Sequence, residues 1–222
     1  MPDAPHQELA AFRAQTRATI GPRYSGALHF AFTNLLALSA MAWAAAQLVH
    51  PRWALLTIPI TLLYANAVEY FAHRGPMHRP ARGLRLVYER HTLLHHRFFQ
   101  DDAMELQSRR DFKLVLFPPL LIAFFFGLFG APLYLVVRLL LGQDVAALFI
   151  LTALAYFLLY EWLHLTYHLS SARLPRWLAS LRSHHAAHHD PRAMSAGNFN
   201  ITFPICDAFF ETRLGTRLET RA

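Results

Sequence analysis

The sequence predicts an all-α integral membrane protein with about four transmembrane helices and a histidine-rich cap on one membrane face. Three observations carry this expectation. The 222 residues are 55% hydrophobic and only 16% charged, apolar-rich and charge-poor beside an ordinary soluble domain. Four long apolar runs alternate with short polar breaks. Eleven of the fourteen histidines fall into four tight groups, each at or beyond the end of such a run.

The first run, 27–49, carries no formal charge over 23 residues, and a spanning helix needs roughly 20. After His50, Pro51 and Arg52 a second run, 53–71, stays apolar until Glu69, so the two are expected to form a tight helical hairpin. The third, 114–141, is interrupted or kinked by Gly130, Pro132 and Arg138. The fourth, 145–163, follows the polar break Gly142, Gln143 and Asp144.

Basic residues set the orientation. Arg13, Arg17 and Arg23 precede the first run, nine Lys or Arg lie between Arg74 and Lys113, and seven more follow from Arg173 onward. The two opposite breaks together hold only Arg52. The positive-inside rule therefore places both termini, with segments 72–113 and 164–222, in the cytoplasm. Residues 1–26 read as a cytoplasmic N-terminal segment, charged and without the apolar core of a cleavable signal. Residues 27–222 read as a single membrane-embedded domain. One lysine, Lys113, beside twenty arginines fits a GC-rich genome, and a bacterial inner membrane is the expected location. The net charge of +7 is explained by this orientation and by anionic lipid headgroups rather than by nucleic acid. A single cysteine, Cys206, excludes an intrachain disulfide framework and a Cys-rich zinc module.

The histidine groups are HRGPMH (His73, His78), HTLLHH (His91, His95, His96), HLTYH (His164, His168) and HHAAHH (His184, His185, His188, His189). The hairpin topology brings all four to one membrane face. His91 with His95, His164 with His168, and His184 with His188 are four apart and share a helix face, so each pair is expected to point at one ion. Neighbours such as His95 and His96, or His188 and His189, diverge by about 100° on a helix and can serve two different ions. His73 and His78, five apart, diverge by about 140° on an ideal helix, so Gly75 and Pro76 are expected to bend the chain until both reach inward. His6, His29 and His50 stand alone and are expected to be solvent or interface residues.

Imidazoles crowded this closely repel one another if protonated, whereas a metal uses the lone pairs of the neutral form. About ten histidines exceed one four-ligand site, so two ions fit the count. A zinc protease would carry HExxH, which does not occur here. Glu69, four before His73, and Glu161, three before His164, are expected to fix imidazole tautomers, while Glu89 is as well explained by solvation.

In order and topology these four motifs resemble the fatty acid hydroxylase and sterol desaturase superfamily of integral-membrane di-metal oxidases, over roughly residues 65–216. The tail NFNITFPICDAFFET at 198–212 adds to the likeness, with Asp207 and Thr212 in the matching places, although Asn200 stands where Gly is common and Cys206 where Trp is usual. EWLHLTYH, SHHAAHH and LVLFPP look most like the fatty acid 2-hydroxylase branch, while the three-residue gap in HTLLHH looks like the sterol-oxidase branch. The resemblance implies a cytoplasmic di-iron cap that activates dioxygen and inserts one oxygen atom into a C–H bond of a lipid or fatty acyl chain. Zinc is a possible substitute in purified forms. By the same resemblance His73, His78, His91, His95, His96, His164, His168, His188 and His189 are metal ligands, with His184 or His185 as the tenth. The 26 residues before the first run are too few for a fused cytochrome b5 module, so a separate ferredoxin- or cytochrome-type electron donor is expected. The competing readings are a sterol- or carotenoid-type hydroxylase or desaturase of the same superfamily and a membrane metal-binding or transport protein. A transporter would use polar residues within the spans, for which Asn34, Asn66 and Arg138 are the candidates.

Overall fold

A computed structural model describes residues 4–100, 103–170 and 173–215. Arg217 and Arg221, counted above among the C-terminal basic residues, lie outside the described residues. Every regular element among the described residues is helical: α1 (Ala4–Ala18), α2 (Gly26–Ala46), α3 (Thr57–Ala72), α4 (Arg85–Tyr88), α5 (Phe112–Val115), α6 (Pro119–Phe125), α7 (Ala131–Leu141), α8 (Gln143–His168), α9 (Arg176–His188) and α10 (Ile205–Phe209). Four helical stretches, Gly26–Ala46, Pro51–Met77, Arg109–Leu141 and Gln143–His168, are long and apolar enough to cross a membrane. Their outer faces carry large apolar side chains, among them Leu28, Leu35, Leu63, Leu120 and Leu139. Such a surface suits lipid and would be an aggregation hazard in water.

The four runs are where the sequence places them, with shifted ends. α2 starts at Ser25, whose hydroxyl caps it by accepting the Leu28 N–H at 3.3 Å. The hairpin turn is a short 3-10 turn, Pro51–Ala54. Asp144 pins this turn to the start of α8 by accepting the Val49 and His50 N–H groups at 2.7 and 3.0 Å. The third run departs most from expectation. Its break falls at Leu116–Pro118, where Leu116 and Pro118 are extended; Pro119 pushes Pro118 out of the helical region, and Pro118 does the same to Phe117. At Gly130 and Pro132 the helix continues instead, through a π turn at Phe126–Gly130 that leads into α7 with Pro132 in its first turn. There the missing proline N–H costs little. Gly142, at φ +93°, makes the reversal into α8, a conformation that favours glycine. α8 itself runs unbroken for 26 residues and carries His164 and His168 on its last turns.

Above the spans, α1 lies across the loop that joins the second and third. Arg13 donates to the carbonyls of Ala103 and Glu105 at 3.2 and 2.9 Å, and Arg17 makes a bidentate pair with the buried Asp111 at 2.8 and 2.9 Å. Phe98, Phe99, Met104, Leu114, Leu116 and Leu165 form the apolar core beneath this cap. Residues 1–26 thus include a docked helix that the charge pattern alone did not announce.

Candidate metal centre

Two groups of imidazoles fill the space between the cap and the spans. In the first, His73, His78, His91, His96 and His188 each bring a ring nitrogen to within 4.8 Å of the others. In the second, His95, His164, His168 and His185 do the same. His189 joins the second group, its Nε2 lying 3.2 Å from that of His95 and 3.1 Å from that of His185. The groups abut where the His96 and His189 rings stack at 4.2 Å. All ten side chains are buried.

Local helix geometry sorts the histidines between groups. His164 and His168 on α8, and His185 and His189 at the end of α9, are four apart on α-helical backbone and share the second group. His73 with His78, and His91 with His96, are five apart, and both pairs span π-helical segments, His73–Met77 and Glu89–His96. A π turn closes i to i+5, so residues five apart stack one above the other. The His91 and His96 Nε2 atoms accordingly lie 3.1 Å apart. At the first of these segments Gly75 leaves helical geometry, and the His73 and His78 rings stack at 5.1 Å, which is the bend expected there.

Two pairings expected from four-residue spacing are therefore corrected. His91 shares its group with His96 rather than with His95, because the backbone is π-helical. His188 shares its group with His73 and His78 rather than with His184. The adjacent pairs His95/His96 and His188/His189 do split between the groups. Of the two candidates for a tenth imidazole, His185 points into the second group. His184 lies outside both, with Nε2 3.4 Å from the Asp207 carboxylate.

Among the described residues no carboxylate hydrogen-bonds an imidazole of the two groups, which corrects the expectation for Glu69 and Glu161. Glu69 accepts the hydroxyls of Tyr156 and Thr202 at 2.5 and 2.7 Å and the N–H groups of Ile201 and Thr202. Glu161 accepts the Phe117 N–H at 3.1 Å. Glu89 pairs with Arg85 at 2.8 Å on the surface. For five of the ten the partner is a backbone carbonyl instead, and His78 Nδ1 meets the Thr92 hydroxyl. Nδ1 of His95 meets Leu114 O at 2.9 Å, His168 meets Met104 O at 2.9 Å, His188 meets Gly197 O at 2.8 Å and His189 meets Phe99 O at 2.5 Å. His73 makes the same contact with Phe199 O. No side-chain motif encodes these carbonyls, so sequence reasoning missed them.

These contacts fix the proton. A carbonyl only accepts, so each of the five rings carries its hydrogen on Nδ1 and a bare lone pair on Nε2. His95 and His189 then face each other across 3.2 Å with no proton between them. Lone pairs opposed in this way repel unless a cation lies among them, which is the arrangement of ligand nitrogens around an ion. Burial, together with the neighbouring imidazoles, holds His91, His96, His185, His188 and His189 well below their ordinary value. Burial takes His78, beside His188, and His95 down to about 3. The set is thus neutral and available to metal at physiological pH.

The tail holds the carbonyls in place. Asp207 accepts the N–H groups of Phe199 and Asn200 at 2.9 and 2.7 Å and the Thr212 hydroxyl at 2.8 Å. Asn200 donates to Asn66 O at 3.0 Å and accepts the Cys206 N–H at 3.1 Å, so it knits the tail to α3. A Cβ on Gly197 would come within 2.0 Å of Thr212 O, so this close approach needs glycine. Two of the three polar residues that a transporter would use, Asn34 and Asn66, are engaged in hydrogen bonds to other elements. Asn66 donates to Tyr156 and to Phe203 O, and Asn34 accepts from Trp162.

Four apolar helices crowned by two buried five-imidazole groups define a class: a helical membrane protein with a histidine-rich centre able to hold metal. The fatty acid hydroxylase family model matches residues 58–212, and the chain belongs to that family. The fatty acid 2-hydroxylase of Mus musculus is 27% identical over 156 residues, 68% of this chain and 37% of the mouse protein. That of Rattus norvegicus is 26% identical over the same length and shares. The match therefore spans little more than a third of these curated relatives. A structure described as full-length scs7p with only the hydroxylase domain visible shares the fold, at a TM-score of 0.58 and 23% identity, over 81% of this chain and 63% of that one.

Proposed function

We propose that the chain is a dioxygen-dependent lipid hydroxylase with two irons, one in each histidine group. The observation that carries this reading is the set of ten buried imidazoles, five with Nδ1 on a backbone carbonyl and all converging in two groups. His73, His78, His91, His96 and His188 would hold one ion, and His95, His164, His168, His185 and His189 the other. Nitrogen ligands without carboxylates suit iron, and zinc can occupy the same sites in purified protein. When bound, the metal pair supplies activation of dioxygen, with overall conversion of R–H, dioxygen, two electrons and two protons to R–OH and water.

The chain's own residues position and shield. The apolar core of Phe98, Phe99, Met104 and Leu165 and the docked α1 keep bulk water from the centre. A small cavity bounded by Met77, Leu114, Phe117 and Tyr160 reaches His91, His95 and His164 and would receive only the reacting end of the substrate. A second cavity of about 290 Å³, lined almost wholly by apolar residues of α2, α6, α7 and α8, offers room for an acyl chain. We place residues 27–222 in one membrane-embedded domain, with the centre and both termini on the cytoplasmic side of a bacterial inner membrane, and electrons arriving from a separate ferredoxin- or cytochrome-type protein.

The test is hydroxylation of extracted lipids by purified, iron-loaded protein supplied with a reductant and isotope-labelled dioxygen. Label in a product hydroxyl supports the reading, and its absence under full metal loading would refute it. A sterol or carotenoid product would move the chain to the other branch, which the three-residue gap in HTLLHH favours.

A further inference from the structure

The free space beside the histidine groups is small and asymmetric in charge. The cavity that touches His91, His95 and His164 measures about 40 Å³. One water-sized group takes about 10–15 Å³ on this scale, so the cavity fits about three such groups. That is the size of a carboxylate and its attached carbon, not of a chain. Most of its wall is apolar, and Arg90 is the one permanently charged side chain on it.

Arg90 sits immediately before His91 on the π segment and is half-buried. Its Nη2 donates to Lys113 O at 2.6 Å, which is its one hydrogen bond among the described residues. A guanidinium offers five N–H donors, so four remain for something else. A purely structural donor to one carbonyl would need neither the charge nor the fork. Beside bound ions the charge would also be unfavourable, because neutral imidazoles would offset none of the ions' positive charge. A cation on the wall of the same cavity is stabilised when an anion lies between.

We propose that Arg90 binds the anionic head of the substrate, a carboxylate or a phosphate. The word substrate rests on the hydroxylase reading, whereas the binding does not. The chain would extend past Phe117 and Phe157, whose rings lie 6.4 Å apart, toward the larger cavity between the spans.

The experiment is equilibrium binding to metal-loaded full-length protein in phosphatidylcholine nanodiscs, with palmitate, palmitamide and palmitoyl lysophosphatidate as probes. Wild type should bind palmitate about ten- to a hundredfold tighter than palmitamide, the ratio expected of a charge-assisted pair. Arg90→Gln should abolish that preference at unchanged metal content, and Arg90→Lys should keep part of it. Tighter binding of lysophosphatidate, lost in the same variant, would identify the head as a phosphate within the same proposal. Equal affinity of wild type for palmitate and palmitamide would overturn it, as would unchanged palmitate binding in Arg90→Gln. Should Arg90→Gln lose metal, the palmitate-to-palmitamide ratio in Arg90→Lys decides, and a ratio equal to wild type counts against a role for the guanidinium fork. Because binding needs no turnover, wild type that prefers palmitate yet hydroxylates nothing would defeat the hydroxylase reading while leaving this one intact.

Discussion

Asp207→Asn should damage one histidine group and largely spare the other. One Asp207 oxygen accepts the Phe199 N–H at 2.9 Å and the Thr212 hydroxyl at 2.8 Å, while the other accepts the Asn200 N–H at 2.7 Å. An amide keeps one oxygen and turns an NH2 toward a backbone donor, so at least one charge-assisted bond is lost. At about 1.5–3 kcal/mol for that bond, the cost is a sizeable share of the roughly 5–15 kcal/mol that a typical domain has. The loop so released carries Phe199 O and Gly197 O, which seat His73 and His188, both of the first group. Loss of such outer partners weakens metal binding by about 10–100-fold. Titration of the apo protein with metal against a competing chelator, alongside thermal unfolding, reads both effects. The first-group ion should be weakened and the second near wild type. Wild-type affinity at both sites with an unchanged melting temperature would refute the argument.

Three further outcomes follow from the same geometry. His164→Ala removes one nitrogen from the second group and should abolish hydroxylation while the first-group ion is retained, as metal analysis of the variant will read. Arg13→Ala frees the 103–105 loop that carries Met104 O to His168, and should lower the melting temperature and selectively weaken the second-group ion in the chelator titration. Acidification should unfold the metal-free protein early. His78 and His95 have folded values near 3 against an ordinary 6.5, so the unfolded chain binds more protons between those limits and stability falls as pH drops below 6.5. Asp207 acts in the same direction. Burial would raise its value, but the His184 imidazole 3.4 Å away and hydrogen bonds from Asn200, Phe199 and Thr212 hold it below the usual range, and its contribution is lost as pH falls through that depressed value. Unfolding monitored by circular dichroism across that range, with and without metal, checks the sign, and metal should protect.

Much of this was legible in the sequence because apolar length and histidine grouping are direct consequences of membrane thickness and metal coordination. The four spans, the convergence of the histidines and the bend at Gly75 required no more than that. The sorting of ligands was not legible under an α-helical assumption, since Glu89–His96 contains neither glycine nor proline to flag a π turn. The available signal was the recurrence of five-residue spacing in His73/His78 and His91/His96. The orienting partners were missed for another reason. A carboxylate near a histidine in sequence is visible, whereas Leu114 O or Phe199 O becomes a partner only after the chain has folded. Glu69 and Glu161 were drawn instead into interhelical and backbone hydrogen bonds, satisfying groups that would otherwise be unpaired within the spans.

The central claim is two ions in two five-imidazole groups, and metal counting on the intact chain tests it most directly. Fully loaded protein should hold two ions per chain, with His188→Ala and His164→Ala each releasing one from a different group. A single ion at saturation, or loss of both ions from either variant with the fold intact, would contradict the account.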